Sequence, residues 1–569
     1  MLDLVIFGGT VIDGTGASAM RADVAVRDGR IVAIGEVDEP ARRRVDATDL
    51  FVAPGIIDPH THYDAQLSWD PHATPSSWHG VTTVIGGNCG FTLAPLQSRD
   101  ADYTRKMMVN VEGMPLDTLE QGASWDWSSF AEYLDGLTGK VAVNAGFMVG
   151  HCALRRYVMG DDFARESAPD ELERISQLLE QSLASGGLGL STTRSYTHSD
   201  ADGVAVPSRW ASEEEVLRLC GVVGQHDGTS LEAIVSGCIS RLSDEEIELL
   251  AQMSARARRP LNWNVLLVDG DRPEQAQHQL RASLRARELG GRVVALTMPV
   301  FAANNQSFLT FSNLWYLDGW TEVLSLPVPE RIRQLCDPAV RQRMMEGARA
   351  STLSRLADFD RYVIGDVYAA ENEELRGRFV GDIARERGED AFTTLVDIVV
   401  KDDLRTVLWP VLATDRPKDW ELRRQLWNEE DVLLGGSDAG AHVDRMLGSP
   451  YPTRFLADCL RGRRLLPVER AVQLMTEKPA ALFGLRDRGR LRPGYHADIF
   501  IFDPATVGAS LPRTSYDLPA NGQRLLSDPE GVERVLVNGR EIVVNGELTD
   551  ETPGTILRSG RDTRTSVNG

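Results

Sequence analysis

The 569-residue chain predicts an α/β fold: a TIM-like (β/α)8 barrel, a small β-sandwich domain formed by both chain termini, and a helical insertion before the last barrel strand. Three observations predict it. Eight short apolar runs alternate with amphipathic helical stretches, the pattern of βα units around a parallel sheet. Short β-like runs punctuated by Gly-Gly, Asp-Gly and Asn-Gly recur at both ends of the chain, as hairpins require. About 130 residues separate the last two apolar runs, far more than an ordinary βα loop.

The elements follow in order. Residues 1–50 carry β-like runs at 4–7, 23–26 and 31–34 and form the N-terminal part of the small β domain. The barrel spans 51–486, with strands expected at 51–57, 82–86, 141–149, 188–192, 229–234, 261–266, 292–297 and 432–436. Helical periodicity is clear at 170–184 and 212–223. The insertion, 299–430, opens on an aromatic, amide-rich stretch at 301–308 and continues into helical segments at 338–356 and 372–387. It reads equally as a lid over the barrel mouth or as a peripheral, oligomer-forming element. Residues 487–550 return to β grammar, and neither terminal piece is large enough for a core of its own, so the two pair. The Thr-, Arg-, Gly- and Ser-rich segment 551–569 is expected to be a flexible tail.

Composition narrows the function classes. Apolar content of 42% and charged content of 25% are those of a globular enzyme. A formal net charge of −22 argues against nucleic acid and against an anionic membrane surface as partners. The N-terminus lacks the basic start and apolar core of a signal peptide, and no apolar run reaches the roughly 18–20 residues a bilayer span needs. Six cysteines without CxxC spacing suggest reduced thiols. The expectation is a cytoplasmic enzyme with a small-molecule substrate, with room left for a homo-oligomer.

The motif richest in chemistry is Pro54-Gly55-Ile56-Ile57-Asp58-Pro59-His60-Thr61-His62. Residues i and i+2 of a strand face the same way, so His60 and His62 can converge on one cation. Imidazole nitrogen is a common ligand for zinc and related metals. Asp64, Cys89 and Asp438 offer further donors. Asp438 follows the last apolar run, which faces the first when a barrel closes; it can bind the same metal and serve as base. Cys89 lies in Gly86-Gly87-Asn88-Cys89-Gly90, where its thiolate is either a soft metal ligand or a buried inert group. His151 ends the third strand, where it supports the metal ligands from behind, faces substrate or is satisfied in the core. Arg194, with His198 and Arg209 nearby, would suit a substrate carboxylate unless these are solvated loop charges.

These residues resemble the amidohydrolase superfamily, in its D-aminoacylase-like (N-acyl-D-amino-acid deacylase) branch. The resemblance rests on Ala53–Asp58 with His60 and His62, and on Gly80-Val81-Thr82-Thr83-Val84 with Gly87-Asn88-Cys89-Gly90. It continues in Gly189-Leu190-Ser191-Thr192, Gly436-Ser437-Asp438 and the stretch from Arg488 to Asp498. It implies a metal-dependent barrel that hydrolyses an amide or related C–N bond. His60 and His62 would bind a divalent metal ion, zinc being favoured; Cys89 would bind or bridge metals; Asp438 would be the catalytic base. That branch also takes a metal-binding histidine from each of strands five and six. Here those strands read Ser230-Leu231-Glu232-Ala233-Ile234 and Leu261-Asn262-Trp263-Asn264-Val265, without histidine. Glu232 would replace one ligand if it faces inward. Asn262 and Asn264 share a face, so they offer a weak metal oxygen or a substrate contact. One metal or two both fit this pattern, the second site being altered or empty.

The activity expected is hydrolysis of an N-acyl amino acid or a similar small, carboxylate-bearing amide. Ring opening of a cyclic amide or imide is the alternative within enzymes. From another class comes a catalytically reduced homologue that binds a ligand, since loss of histidines is what decay would look like.

Overall fold

A computed structural model describes residues 1–300, 303–309, 312–351, 353–411 and 415–566. Phe301 and Ala302, at the start of the amide-rich opening, lie outside the described residues, as do 567–569 of the expected tail.

All eight expected strand positions are β. Parallel strand one is Ile56–Asp58, two Val81–Gly86, three Asn144–Phe147 continued by Val149–Gly150, and four Gly189–Arg194. Strand five is Ser230–Val235, six Pro260–Asn264, seven Arg292–Thr297 and eight Val432–Leu434. Strands one to three form one parallel sheet; the continuation of strand three joins strands four to eight in another. Strand eight returns to strand one beyond their ends. There Thr61 bridges Ala439, and Asp438 N–H donates to the His60 carbonyl at 3.1 Å.

Alternation along these strands sorts side chains into two layers. One layer comprises Ile57, Ile85, Met148, Val294, Leu296 and Leu433, packed together. Their neighbours Leu231, Ala233, Leu261, Trp263 and Ala295 pack into the larger cluster shared with the helices. Glu232 pairs in register with Asn262, Asn262 with Val294, and Asn264 with Leu296. All three polar side chains therefore stand on the inner face.

Strand one is shorter than the sequence suggests. Residues 51–57 are not one strand: Phe51–Pro54 belongs to a nine-stranded sheet built from both chain ends, where it pairs antiparallel with Ile499–Phe502. The break falls at Gly55, where a Cβ would stand 2.2 Å from Thr82 side-chain atoms, so the chain can pass strand two only without a side chain. The terminal sheet thus extends past the boundary expected at residue 50, and it buries Leu4, Ile6, Val24, Val52, Ile499 and Leu536 together.

The segment read as a flexible tail is docked. Ile556–Leu557 pairs in parallel with Ala145 and Gly146 of strand three, and both residues are buried. Thr563 Oγ1 donates to the Gly228 carbonyl at 2.6 Å. Polar composition suggested mobility, but two apolar residues and several backbone bonds suffice to fix the segment.

The insertion has a core of its own around Trp320, Phe359 and Phe392, with ring centroids 5.1–5.8 Å apart. Its helices include Val328–Leu335, Pro338–Ala350, Val380–Arg387 and Ala391–Lys401. Its first strand, Ala303–Asn304, pairs with Met446–Leu447, which lies just after Asp438.

Candidate metal centre and active site

The donor atoms of His60, His62 and Cys89 lie within 4.8 Å of one another, all three residues buried, at the C-terminal ends of strands one and two. The histidines sit just past strand one and not within it, yet the extended path through Thr61 keeps them on one side. His60 Nε2 is 3.6 Å from Cys89 Sγ. Asp438 Oδ1 lies 3.0 Å from His62 Nε2 and 3.5 Å from His60 Nε2. Asp58 fixes the base of the group by accepting N–H bonds from His60 and Ser437 at 3.3 and 3.2 Å.

The Cys89 loop is held from three sides. Gly87 has φ +72, and a Cβ there would stand 2.3 Å from the Met148 carbonyl. Asn88 Nδ2 donates to the carbonyls of Thr61 and Ile85 at 3.1 and 2.9 Å. Cys89 N–H donates to Glu232 Oε2 at 2.8 Å. Cys89 and Asp438 have φ of +54 and +57, a left-handed backbone that side chains resist and that surrounding contacts must enforce.

Electrostatics bear on whether these residues suit a cation. Burial, with Glu232 beside it, pushes the Cys89 thiol up to about 12. Burial likewise raises Glu232 to about 8, Glu112 to about 7 and Asp64 to about 6. Burial would lower His62, but the Glu112 and Asp438 carboxylates carry it well above its ordinary value. Burial would raise Asp438, but the two imidazoles hold it well below the usual carboxylate range. A thiol, two imidazoles and several carboxyl groups crowded into one buried volume form a donor set for a divalent cation, whose charge would reverse these upward shifts. The residues fit a metal.

The candidates divide on position. His60, His62, Cys89, Glu232 and Asp438 converge, and Asn264 Nδ2 reaches Cys89 Sγ at 3.5 Å. Glu232 faces inward, one oxygen on Cys89 N–H and the other without a hydrogen bond; both polar atoms of the Asn262 side chain also lack one. His151 does not face the site. Its Nδ1 meets Thr192 Oγ1 at 2.9 Å and its Nε2 meets Glu215 Oε1 at 2.8 Å, in the outer layer. Arg194, two residues beyond Thr192 on the same face, donates to the Ala211 carbonyl at 2.7 Å. Strand alternation aims both towards the helices, which corrects their reading as substrate contacts.

Sequence reasoning missed Glu112 and His442. Glu112 Oε1 is 3.2 Å from His62 Nδ1, leaving Nε2 turned to Asp438. Its helix, Ala101–Glu112, gave no motif to notice. His442 donates its backbone N–H to the Glu112 carbonyl and lines a cavity of about 440 Å³ above Asp438. Its spacing from Asp438 in Ser437-Asp438-Ala439-Gly440-Ala441-His442 was the available signal.

A carboxylate beside clustered metal-type donors at the ends of parallel strands has the make-up of a metal-dependent hydrolase site. The model of the amidohydrolase family matches residues 43–543, and the chain belongs to that family: it is a hydrolase of carbon–nitrogen bonds other than peptide bonds. It is 30% identical to a D-aminoacylase of Alcaligenes xylosoxydans xylosoxydans over 98% of this chain and 97% of that one. It is 29% identical to an N-acyl-D-aspartate deacylase of the same organism, over 98% and 95%. It resembles the solved structure of an N-acyl-D-glutamate deacylase from Bordetella bronchiseptica complexed with zinc and a phosphonate inhibitor, with a TM-score of 0.64 and 26% identity. That match covers 98% of this chain and 100% of the other.

Proposed function

We propose that the chain hydrolyses N-acyl amino acids to a carboxylic acid and a free amino acid, with Asp438 as the proton shuttle. The observation that carries this is the convergence of the buried His60, His62 and Cys89 with Asp438, which itself lines the cavity. The deacylase names of the relatives support the same substrate class. We read the two parallel sheets as one closed (β/α)8 barrel, supported by the Thr61–Ala439 bridge. The small β domain then comprises the two chain ends, and residues 299–430 are the insertion.

In this reading His60, His62, Cys89 and Asp438 hold a divalent cation, zinc being favoured by the sulfur and nitrogen donors. When bound, that cation supplies Lewis-acid chemistry, polarising a carbonyl and acidifying water. The chain's own residues do the rest. Glu112 faces His62 Nδ1 at 3.2 Å as a charge partner, and Glu232 orients Cys89 through its N–H. Asp438, with 32% of its side chain exposed, reaches the cavity and takes the proton of the attacking water. It returns that proton to the leaving nitrogen as the C–N bond breaks, so one water is consumed and no proton is lost. At the inner positions of strands five and six, Glu232, Asn262 and Asn264 provide oxygen and amide groups where the branch has histidine nitrogens; the site is therefore read as holding one tight metal.

The test is a panel of N-acyl amino acids, cyclic amides and esters offered to zinc-reconstituted protein, with release of free amine measured. Turnover of N-acyl amino acids is expected. Turnover of cyclic amides alone, or of none of the panel, would overturn the reading.

A further inference from the structure

Between Ile499–Phe502 and Val532–Val537, two paired strands of the terminal sheet, the chain leaves that sheet and returns. The excursion carries an antiparallel hairpin, Arg513–Leu518 with Gly522–Leu526. Arg524 on its second strand is a buried cation, its side chain 8% exposed. Its Nε and Nη2 pair with the two carboxylate oxygens of Asp517 at 2.9 and 2.6 Å, within the hairpin. Its Nη1 and Nη2 also reach out of the hairpin, donating to the Thr74 carbonyl and to Thr74 Oγ1, both at 2.9 Å. Thr74 stands on the loop that follows His62, where Gln66 Nε2 donates to the same carbonyl at 2.7 Å. A planar guanidinium can engage both sides at once, which a lysine ammonium cannot match.

The next residue holds a different loop. Leu525 donates its N–H to the carbonyl of Val443, on the loop that carries Asp438. That bond is 2.7 Å long. On this side the two loops do not close-pack. A cavity of about 20 Å³, room for about one water, is lined by Gln66, Thr74, Asp438, Ala441, Arg524 and Leu525. The backbone of the Asp438 loop also needs enforcing. Asp438 and His442 have φ of +57 and +49, left-handed values that such residues keep only when their surroundings impose them. At the start of the loop strand one imposes them, through Asp438 N–H on the His60 carbonyl and His62 N–H on the Ala439 carbonyl. Past His442 the constraints are Leu525 and the pairing of Met446–Leu447 with the insertion. Arg524 fixes the hairpin to the loop after strand one, and Leu525 fixes the loop after strand eight to the hairpin.

We propose that Arg524 is a positioning residue for Asp438: through the hairpin it sets residues 438–447 so that the carboxylate stays against both imidazoles and faces the cavity. The proposal rests on the reading of Asp438 as proton shuttle and adds to it a contribution from the C-terminal hairpin.

The experiment uses the zinc-loaded full chain and its best N-acyl amino acid substrate. Arg524→Met keeps an unbranched side chain and removes the guanidinium. Its kcat should fall by on the order of 10-fold or more, since a catalytic group misplaced by about 1 Å costs up to about 10²-fold. KM and zinc content should stay near the parent's. Arg524→Lys should recover part of kcat, and it carries the comparison if the Met variant folds poorly. The loss should shrink in the Asp438→Asn background, because a residue acting only through Asp438 has nothing left to position there. Amide hydrogen exchange gives a readout independent of turnover: residues 438–447 should exchange faster in Arg524→Met, with strands four to six unchanged. Arg513→Gln removes an exposed ion pair with Asp528 from the same hairpin and should alter neither kcat nor exchange. Exchange at 438–447 equal to the parent's would overturn the clamp. A kcat loss of the same size with and without Asp438, or one matched by Arg513→Gln, would overturn the positioning role. No turnover of any N-acyl amino acid by the parent would overturn the proposed function and the catalytic half of this proposal, while exchange still decides the clamp.

Discussion

Glu232 on strand five accepts the backbone N–H of Cys89 at 2.8 Å, so one inner strand position fixes the loop that presents the thiol. The bond crosses from one parallel sheet to the other. Replacing Glu232 with Leu would leave that buried N–H unpaired, at a cost of about 1–3 kcal/mol. It would also free the loop, so zinc affinity measured against a chelator should fall along with stability. Glu232→Gln keeps a carbonyl acceptor at the same length and should retain most of both. Unchanged zinc affinity in the Leu variant would show that the loop does not depend on this bond.

His60→Ala with His62→Ala removes two of the three clustered donors while leaving the strand-one core of Ile56 and Ile57 in place. Circular dichroism should be that of the parent, and metal content by elemental analysis should fall together with activity. A double variant that still binds a full complement of metal would refute the assignment.

Asp438→Asn preserves size and removes the carboxylate proposed as the proton shuttle. The expected result is a kcat lower by on the order of 10² or more, the range of general acid–base contributions. Because Asp438 also touches both imidazoles, metal content must be measured in the same samples. Retained kcat with weaker metal binding would make Asp438 a ligand and not the proton shuttle.

The sequence was most informative where a periodic signal and a chemical signal coincided. His60 and His62 follow an apolar run, and Asp438 follows another; strand placement brought all three together. Alternation alone could not say which way strand five faced, since Glu232 and Ala233 are both fully buried. Register with Asn262 and Val294 settles it. The same ambiguity misdirected His151 and Arg194, which stand at the right end of their strands but on the outer face. Glu112 was invisible for another reason: it lies on a helix with no local link to His62, and only tertiary packing brings them together. The docking of 556–557 was hidden because two apolar residues in a polar segment carry no periodicity.

Glu215 gives an acid-stability prediction away from the metal donors. It is buried with His151 and Arg155, whose Nη1 donates to both of its oxygens at 2.6–2.7 Å. Burial would raise its pKa, but His151 and Arg155 bring it down to about 2 from an ordinary 4.5. A lowered carboxyl pKa contributes stability that is complete above about 4.5 and is lost as pH falls towards about 2. Glu215→Gln should therefore be destabilised at neutral pH, by about 3–5 kcal/mol because Arg155 stays buried without its anion. Its urea midpoint should also depend less on pH between those values than the parent's. Parallel pH profiles for the two proteins would refute this assignment of the acid-sensitive group.

The last prediction concerns the C-terminal segment, whose composition suggested a flexible tail. Ile556 and Leu557 are 2% and 0% exposed, and Leu557 packs with Ile57, Ile85 and Met148 on the inner face of the parallel strands. Ala145 N–H donates to the Thr555 carbonyl at 3.0 Å, and Asn538 Nδ2 donates to the Pro553 carbonyl at 2.8 Å, tying the segment to strand three and to the terminal sheet. A chain ending at Glu551 should lose about 3–6 kcal/mol from the two apolar side chains alone, at roughly 1.5–3 kcal/mol each. It would also expose the edge of strand three at 144–147, a template for unwanted strand pairing. Leu557→Asp should reproduce much of the loss by placing a charge among the inner apolar residues without shortening the chain. Thermal unfolding followed by light scattering separates the outcomes: a lower midpoint with earlier aggregation is expected for both variants. A truncated chain that melts like the parent would show that 552–569 contributes nothing to the parallel sheet.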